Sequence, residues 1–127
     1  MNFIQTNNAP SAIGPYSQAV VVNGMVYTSG QIALTADGSD KLLNEDVVVQ
    51  TKQVMQNLQA VLEASGASLS TVFKTTIFLA DMDSFVTVNE IYGKAFGSHK
   101  PVRSTVAVKT LPKNALVEID AVALLKD

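Results

Sequence analysis

The chain has 127 residues, which is the size of one domain, over residues 1–127. Its formal net charge of −2 provides no excess of positive charge that would bind nucleic acid. It contains no cysteine and a single histidine, His99, which excludes disulfides, thiolate zinc sites, cysteine nucleophiles and motifs that need two histidines. Charged residues make up only 16% of the chain and apolar residues 47%, so we expect part of the surface to be covered by another protein.

The first predicted element is a β-hairpin around Asn23-Gly24. An Asn-Gly pair between β-branched runs predicts a type I′ turn, because both central residues need positive φ. A two-residue turn also fixes the register, which pairs Val22 with Met25, Val20 with Tyr27 and Gln18 with Ser29. Tyr16, Gln18 and Ser29 then fall on one face if the pairing extends that far.

A helix is predicted from near Asn44, a favourable N-cap, to Gly66, a favourable C-cap. Its apolar residues recur at helical spacing and form one stripe: Val47, Thr51, Val54, Met55, Leu58, Val61 and Leu62. The run Val72–Ala80 is β-branched and aromatic and predicts a strand. Asp81 or Asp83 is then expected to cap a second helix that stops by Gly97 and carries Phe85, Val88, Tyr92 and Phe96.

Two strands are predicted at the end of the chain, Arg103–Thr110 and Leu116–Leu125, joined by a short loop. The element order ββ(β)-α-β-α-β-β predicts an α+β fold, a mixed β-sheet with two helices packed on one face. The last strand carries apolar residues on both faces, and two helices cover only one. We therefore expect the second face to need a partner, of which an identical subunit is the simplest.

The short loop makes these last two strands antiparallel, with Glu118 near the loop and Arg103 at the distant end. In direct pairing Glu118 would lie opposite Val108, which places Arg103 ~16 Å away at ~3.3 Å per residue. If these two residues act together, the site is expected to combine chains at an interface.

Several classes of protein are excluded by motifs that the sequence lacks. There is no glycine-rich phosphate loop, and Ser29 lies in Thr28-Ser29-Gly30-Gln31, without the serine-hydrolase elbow. His99 lies in a polar loop, where we expect it to be solvated. No apolar run approaches the ~20 residues of a membrane span. No secretory signal is visible at the N-terminus either, so we expect a cytoplasmic protein with no membrane partner.

Three polar residues lie where their polarity needs a reason. Asn89 falls on or beside the apolar stripe of the second helix, and its alternative role is a bond to neighbouring backbone. Glu118 lies on the face that we expect another subunit to cover, where buried carboxylates are rare. The alternative to a functional role is a structural ion pair at a polar rim of this face, which Asp120 shares. Arg103 is suited to bidentate capture of a carboxylate, or it is an ordinary surface arginine at the start of a strand.

Four segments together resemble the RidA/YjgF family of reactive-intermediate deaminases. They are NAPSAIGPYSQA at 8–19, TSGQI at 28–32, Val88-Asn89, and the most specific, PVRSTV at 101–106 with Val117-Glu118-Ile119 after the loop. The likeness spans nearly the whole chain. It implies a chorismate-mutase-like α+β fold and a homotrimer whose sheets form an inner barrel, with clefts between subunits.

The resemblance also implies a function: hydrolytic deamination of enamine or imine intermediates, such as 2-iminobutanoate and 2-iminopropanoate, to 2-oxo acids and ammonia. No metal or organic cofactor is required for this chemistry. By the resemblance, Arg103 grips the substrate carboxylate and Glu118 positions or activates the attacking water. Thr105 stands where some members have cysteine, and the expected contact there is a backbone carbonyl. The other residues implied to line the cleft are Tyr16, Ser29, Gly30 and Asn89.

Two alternative functions remain open from the sequence. Some members of this family are described as ribonucleases or translation inhibitors, but the pI near 5.2 and the single histidine argue against nucleic-acid chemistry. A non-catalytic trimer that binds a small carboxylate would use the same arginine, and the sequence does not distinguish it from an enzyme.

Overall fold

The computed structural model describes residues 1–127 and contains one mixed sheet of six strands with two helices. The strands are β1 (Asn2–Ile4), β2 (Ala19–Val22), β3 (Met25–Thr28), β4 (Val72–Leu79), β5 (Val102–Ala107) and β6 (Val117–Leu124), and the helices are α1 (Val47–Ala64) and α2 (Phe85–Phe96). Their order in the sheet is β1-β2-β3-β6-β4-β5. The expected α+β class, with a mixed sheet and two helices, is confirmed.

The β2–β3 hairpin forms as predicted. Asn23 and Gly24 have φ of 51° and 77°, and Val20 pairs with Tyr27 and Val22 with Met25. The pairing extends by one hydrogen bond of 2.9 Å, from the Ser29 N–H to the Gln18 carbonyl. It does not reach Tyr16, which follows a tight turn, so strand alternation does not decide where Tyr16 points.

The predicted direct pairing of the last two strands is wrong, because β4 lies between β5 and β6. The segment β4-α2-β5 is a crossover unit, in which two parallel strands are joined through a helix. β6 then pairs antiparallel with β4 on one side and with β3 on the other. The site distance expected from direct pairing therefore does not apply. The positions of Arg103 and Glu118 relative to each other follow instead from how β5 and β6 each pair with β4.

The predicted start of α1 is also wrong by two residues. Residues Lys41–Asn44 form a short 3₁₀ turn, and Asp46 is the N-cap, accepting a hydrogen bond from the Val49 N–H at 3.0 Å. At the other end, Gly66 has the left-handed conformation expected after a helix, with φ of 87°. The helix therefore ends where the sequence predicts.

The start of α2 differs from its prediction as well. Ser84 occupies the N-cap position without a side-chain hydrogen bond. Asp81 instead caps the 3₁₀ turn Met82–Ser84, by accepting from the Asp83 N–H at 2.9 Å. α2 ends at Gly97, with φ of 64°, as predicted.

The helices and one face of the sheet enclose the hydrophobic core. Of the predicted α1 stripe, Val47 is partly exposed and the other six residues are buried; the inward residues of β6 are also buried: Val117, Ile119, Ala121 and Ala123. Two buried amides on α1 were not predicted. Asn57 donates to the carbonyls of Ile32 and Leu34 at 3.1 and 2.9 Å, and Gln50 accepts from the Leu116 N–H at 2.9 Å. These bonds attach the loops around the candidate site to the core.

The opposite face of the sheet carries no helix, and it exposes apolar side chains beside a polar strip formed by residues of β4 and β6, among them Glu118 and Asp120. The register places five large exposed side chains on this bare face. They are Phe3 and Val102 (66% exposed), Leu124 (52%), Val106 (43%) and Tyr27 (42%). Several large apolar side chains exposed on one face are typical of an interaction surface.

Candidate active site

A cavity of about 520 Å³, here called the glutamate cavity, lies between the N-terminal segment, the residues after β3 and the start of β6. Its lining brings together most of the residues predicted for the cleft: Tyr16, Ser29, Gly30 and Glu118, with Lys113 and Asp120 beside them. Residues far apart in the sequence therefore meet on one side of one chain.

The buried amide of Gln18 lines the glutamate cavity, although Gln18 was not predicted as a site residue. Gln18 accepts from the Thr6 N–H at 2.7 Å and donates to the carbonyls of Thr6 and Pro10 at 3.1 and 2.8 Å. Ser29 donates to the Ser17 carbonyl. Because both of its hydrogen-bonding groups are satisfied, the Gln18 amide is stable in the interior and fixes residues 6–10. The Ser29 bond holds the residue that follows Tyr16.

Gly30 is a glycine for a steric reason. A Cβ at this position would overlap Oε2 of Glu118 and lie 2.8 Å from its Cδ. Real Cβ atoms do not approach a carboxylate this closely, so any larger residue would move the Glu118 side chain. The absence of a side chain at Gly30 thus sets the position of the carboxylate.

Two carboxylates face the same cavity from alternate positions of β6. Burial raises the pKa of Glu118 above its usual range, and the neighbouring Asp120 raises it further. Burial also raises the pKa of Asp120, although Lys74 and a hydrogen bond from Thr76 oppose this shift. Two neighbouring carboxyl groups whose pKa values are raised by burial in a cavity are candidates for proton transfer.

Arg103 lies in a second, smaller cavity of about 240 Å³, here called the arginine cavity, which also contains Asn89, Tyr92 and Lys100. Arg103 is the only arginine of the chain. Its guanidinium donates to Oδ1 of Asn89 at 2.7 Å. It also lies 5.0 Å from the ring centre of Tyr92 and 5.6 Å from that of Phe85. An amide and two aromatic rings on α2 therefore orient one cation.

The two cavities lie on opposite faces of the sheet. Arg103 pairs in register with Thr75, whose buried side chain faces α2, so Arg103 is on the helix face. Glu118 pairs with Phe78, whose side chain points away from that of the adjacent buried residue Leu79. Glu118 is therefore on the bare face. Side chains on opposite faces of a sheet cannot act on one small molecule. Within a single chain, therefore, Arg103 and Glu118 do not form one site.

Three further polar residues considered from the sequence are Thr105, His99 and Asn89. Thr105 lines neither of the two cavities, and its buried Oγ1 has no hydrogen-bond partner. The expectation that His99 is solvated is wrong: its Nε2 bonds to the Val72 carbonyl, and its ring packs near Phe96. Asn89 bonds to Arg103 and not to neighbouring backbone, which was its alternative role.

Lys113 lines the glutamate cavity but was not predicted to belong to it. Lys113 and Asn114 both have left-handed backbone conformations, with φ of 55° and 56°. Such strain in consecutive non-glycine residues is characteristic of functional loops. The only local signal was Asn114, since asparagine tolerates this conformation.

Neither helix is long and apolar enough to cross a membrane. No group of three or more histidine, cysteine, aspartate or glutamate side chains is arranged to hold a metal ion.

The chain is a small α+β domain with two cavities that few apolar side chains line. The family profile described as Endoribonuclease L-PSP matches residues 6–125, and the chain belongs to this family, which includes the YjgF and RidA proteins.

Three similar proteins illustrate the range of names in this family. A RutC family protein of Synechocystis is 49% identical over 98% of this chain and 97% of its own length. The human 2-iminobutanoate/2-iminopropanoate deaminase is 46% identical over 95% of this chain and 88% of its own length. The crystal structure of RidA from an Antarctic Psychrobacter species superposes with a TM-score of 0.93, at 38% identity, over 98% of this chain and 100% of that chain.

Proposed function

We propose that this protein is a cytoplasmic enzyme that hydrolyses 2-imino acids, such as 2-iminobutanoate and 2-iminopropanoate, to 2-oxo acids and ammonia. In this proposal it acts as a homotrimer, and each site combines the arginine cavity of one subunit with the glutamate cavity of the next. The observation that carries it is the position of Arg103 and Glu118 on opposite sheet faces. A carboxylate-binding group and a water-activating group can then meet only across an interface.

The bare face supports a second copy as the partner. Its exposed apolar side chains belong to four of the six strands: Phe3, Tyr27, Val102, Val106 and Leu124. Burying them would stabilise an assembly by roughly 25 cal/mol for each Å² of apolar area. The two cavities are also complementary in charge. Lys100 and Arg103 line one, and the two carboxylates Glu118 and Asp120 with the single cation Lys113 line the other. Facing subunits would therefore bring a positive and a net negative cavity together.

Substrate binding is the first step that the residues explain. The planar guanidinium of Arg103 matches the two oxygens of a carboxylate, and its hydrogen bond to Asn89 limits its rotation. A 2-imino acid held by its carboxylate has its C2 atom one bond away. Fixing C2 beside the partner subunit's water-activating group removes much of the entropy cost of the reaction.

Hydrolysis follows by addition of water to the protonated imine. Ionised Glu118 takes a proton from water while the oxygen attacks C2, which forms a neutral carbinolamine. Glu118 returns this proton to the amine, and the C–N bond breaks with release of ammonia while the hydroxyl gives its own proton to Glu118 and becomes the carbonyl. Ammonia then takes this proton from Glu118, which is ionised again. The products are a 2-oxo acid and ammonium. A protonated imine is already electrophilic, so orientation and one base suffice.

The activity is tested with a coupled assay. Threonine dehydratase supplies the enamine and imine, semicarbazide traps what is not hydrolysed, and the formation of free 2-oxobutanoate and of semicarbazone is followed. We expect the protein to increase the former and decrease the latter. Semicarbazone formation that does not change at any protein concentration would contradict the proposal.

A second candidate function is a non-catalytic module that binds a small carboxylate. The specific observation in its favour is the arginine cavity, whose side chains would hold a carboxylate without any reaction. Calorimetric binding of 2-oxobutanoate without any effect in the coupled assay would favour this module over the enzyme. Cleavage of RNA by the purified protein, lost in the Arg103→Ala variant, would instead support a ribonuclease.

A further inference from the structure

A hydrogen bond buried beneath the arginine cavity connects the strands to the helix that orients Arg103. The hydroxyls of Thr75 and Tyr92 lie 2.6 Å apart. Thr75 is fully buried and Tyr92 is 6% exposed. Neither hydroxyl is needed for packing, because valine and phenylalanine have the same shapes without the oxygens. Buried polar groups of this kind are retained where they fix one arrangement of their neighbours.

This hydrogen bond joins Thr75 and Tyr92, each of which also lies next to Arg103. Thr75 on β4 is the register partner of Arg103 on β5. The Tyr92 hydroxyl bonds to Thr75, and the Tyr92 ring lies against the Arg103 guanidinium, 5.0 Å from its centre. The same face of α2 carries Phe85 and Asn89, which lie seven and three residues before Tyr92, and both contact Arg103.

We propose that Thr75 and Tyr92 are positioning residues, whose hydrogen bond fixes the α2 face against β5 and thereby aims the Arg103 guanidinium. Without this bond the packing of α2 on β4 rests on apolar contacts, which are not directional. The helix face would then be free to shift, and it carries all three side chains that hold the guanidinium. This inference rests on the proposed function, in which Arg103 binds the substrate carboxylate.

The chain offers an unusually direct measurement of this effect. Because Arg103 is the only arginine, protein labelled with ¹⁵N-arginine gives one guanidinium Nε–H resonance per subunit. Its chemical shift and relaxation report the order of Arg103 without any ligand. The test compares the wild type with Thr75→Val and Tyr92→Phe, each of which removes one hydroxyl and keeps the side-chain shape.

We expect the Arg103 resonance to shift and broaden in both variants. We also expect the Kd for 2-oxobutanoate and the KM in the coupled assay to rise about fivefold, with kcat within about twofold, because the carboxylate contact is made in the ground state and the transition state alike. Thr75→Ser retains the hydroxyl and should restore the wild-type resonance. Ser65→Ala is the matched control, since it removes another buried hydroxyl bond, to the Val61 carbonyl at 2.7 Å, and Ser65 is not among the residues that contact Arg103 or line the arginine cavity.

An unchanged Arg103 resonance in Thr75→Val and Tyr92→Phe would overturn the inference. So would an equal change in Thr75→Ser or Ser65→Ala, because the effect would then be one of general stability. The outcome is separate from that of the proposed function. An ordered Arg103 that loosens in the two variants, in a protein without hydrolytic activity, would support the positioning role and contradict the enzyme.

Discussion

The arginine cavity and the glutamate cavity hold their charged groups in different ways. Arg103 is fixed by a hydrogen bond to Asn89 and by two aromatic rings. Glu118 is positioned by burial and by the lack of a side chain at Gly30, and no hydrogen bond contributes to its pKa. This difference fits two tasks. A group that grips a carboxylate gains from rigidity, whereas a carboxylate that handles water must keep its oxygens free to accept.

The largest effect should come from removing the rigid group. Arg103→Ala is expected to lower kcat/KM about 1,000-fold, because a charge-assisted bidentate contact and its orientation are lost together. Arg103→Lys keeps the charge without the planar fork and should recover only part of the activity. The assay is the coupled one, with sedimentation to show that the assembly persists. Full activity in Arg103→Ala would contradict the role of Arg103.

Glu118→Gln separates rate from affinity in the other cavity. We expect kcat to fall about 100-fold, since the variant cannot accept a proton. The Kd for 2-oxobutanoate should stay within about twofold, because the carboxylate is bound elsewhere. Calorimetry and the coupled assay measure the two quantities. Equal losses in both would indicate a folding defect, and the division of labour between the cavities would then be wrong.

Gly30→Ala tests whether the activity of Glu118 depends on the position of its carboxylate beside Gly30. The new Cβ overlaps the Glu118 carboxylate, so that side chain must move, and we expect kcat to fall about tenfold and stability by about 1–3 kcal/mol. The control is the double variant Gly30→Ala/Glu118→Ala, in which no carboxylate is left to overlap. Its melting temperature should match that of Glu118→Ala alone. A double variant that loses the sum of both effects would show that the two residues are independent.

The sequence predicted local structure well because its determinants are local. The register of the β2–β3 hairpin follows from Asn23-Gly24 alone, since a two-residue turn leaves no other pairing. The first cap was missed because Asn44 and Asp46 are both favourable N-caps. The choice between them depends on the 3₁₀ turn Lys41–Asn44, which tertiary bonds of Gln50 stabilise through the carbonyls of Leu43 and Glu45.

The order of the strands was not predictable by the same means. β5 and β6 are neighbours in sequence and joined by a short loop, which favours pairing, yet β4 separates them. The strand-helix-strand pattern from Val72 to Thr110 indicates a parallel crossover, whereas the short loop between β5 and β6 favours their direct pairing. The motifs identified the residues of the candidate site, but only the long-range register assigns Arg103 and Glu118 to different faces.

The smallest expected effect concerns the pH at which the glutamate cavity works. Glu118 must be ionised to accept a proton from water, and the negative charge of Asp120 raises the pKa of Glu118 in addition to burial. Asp120→Asn removes that charge, so the pKa of Glu118 should fall and the acidic limb of the kcat/KM profile should move to lower pH.

Stability should change in the corresponding direction. A carboxyl whose pKa is raised by folding holds its proton more tightly in the folded state than in the unfolded state. The free energy of unfolding of the wild type should therefore fall as pH rises from the ordinary carboxyl range through the raised values. Asp120→Asn should flatten this decrease, as measured by denaturant unfolding across pH. Asp37→Asn is the matched control, because Asp37 is an exposed carboxylate whose pKa is lowered by a hydrogen bond from Thr35. If Asp37→Asn moves the acidic limb as far as Asp120→Asn does, the shift reflects net charge alone and the two carboxylates of β6 are not coupled.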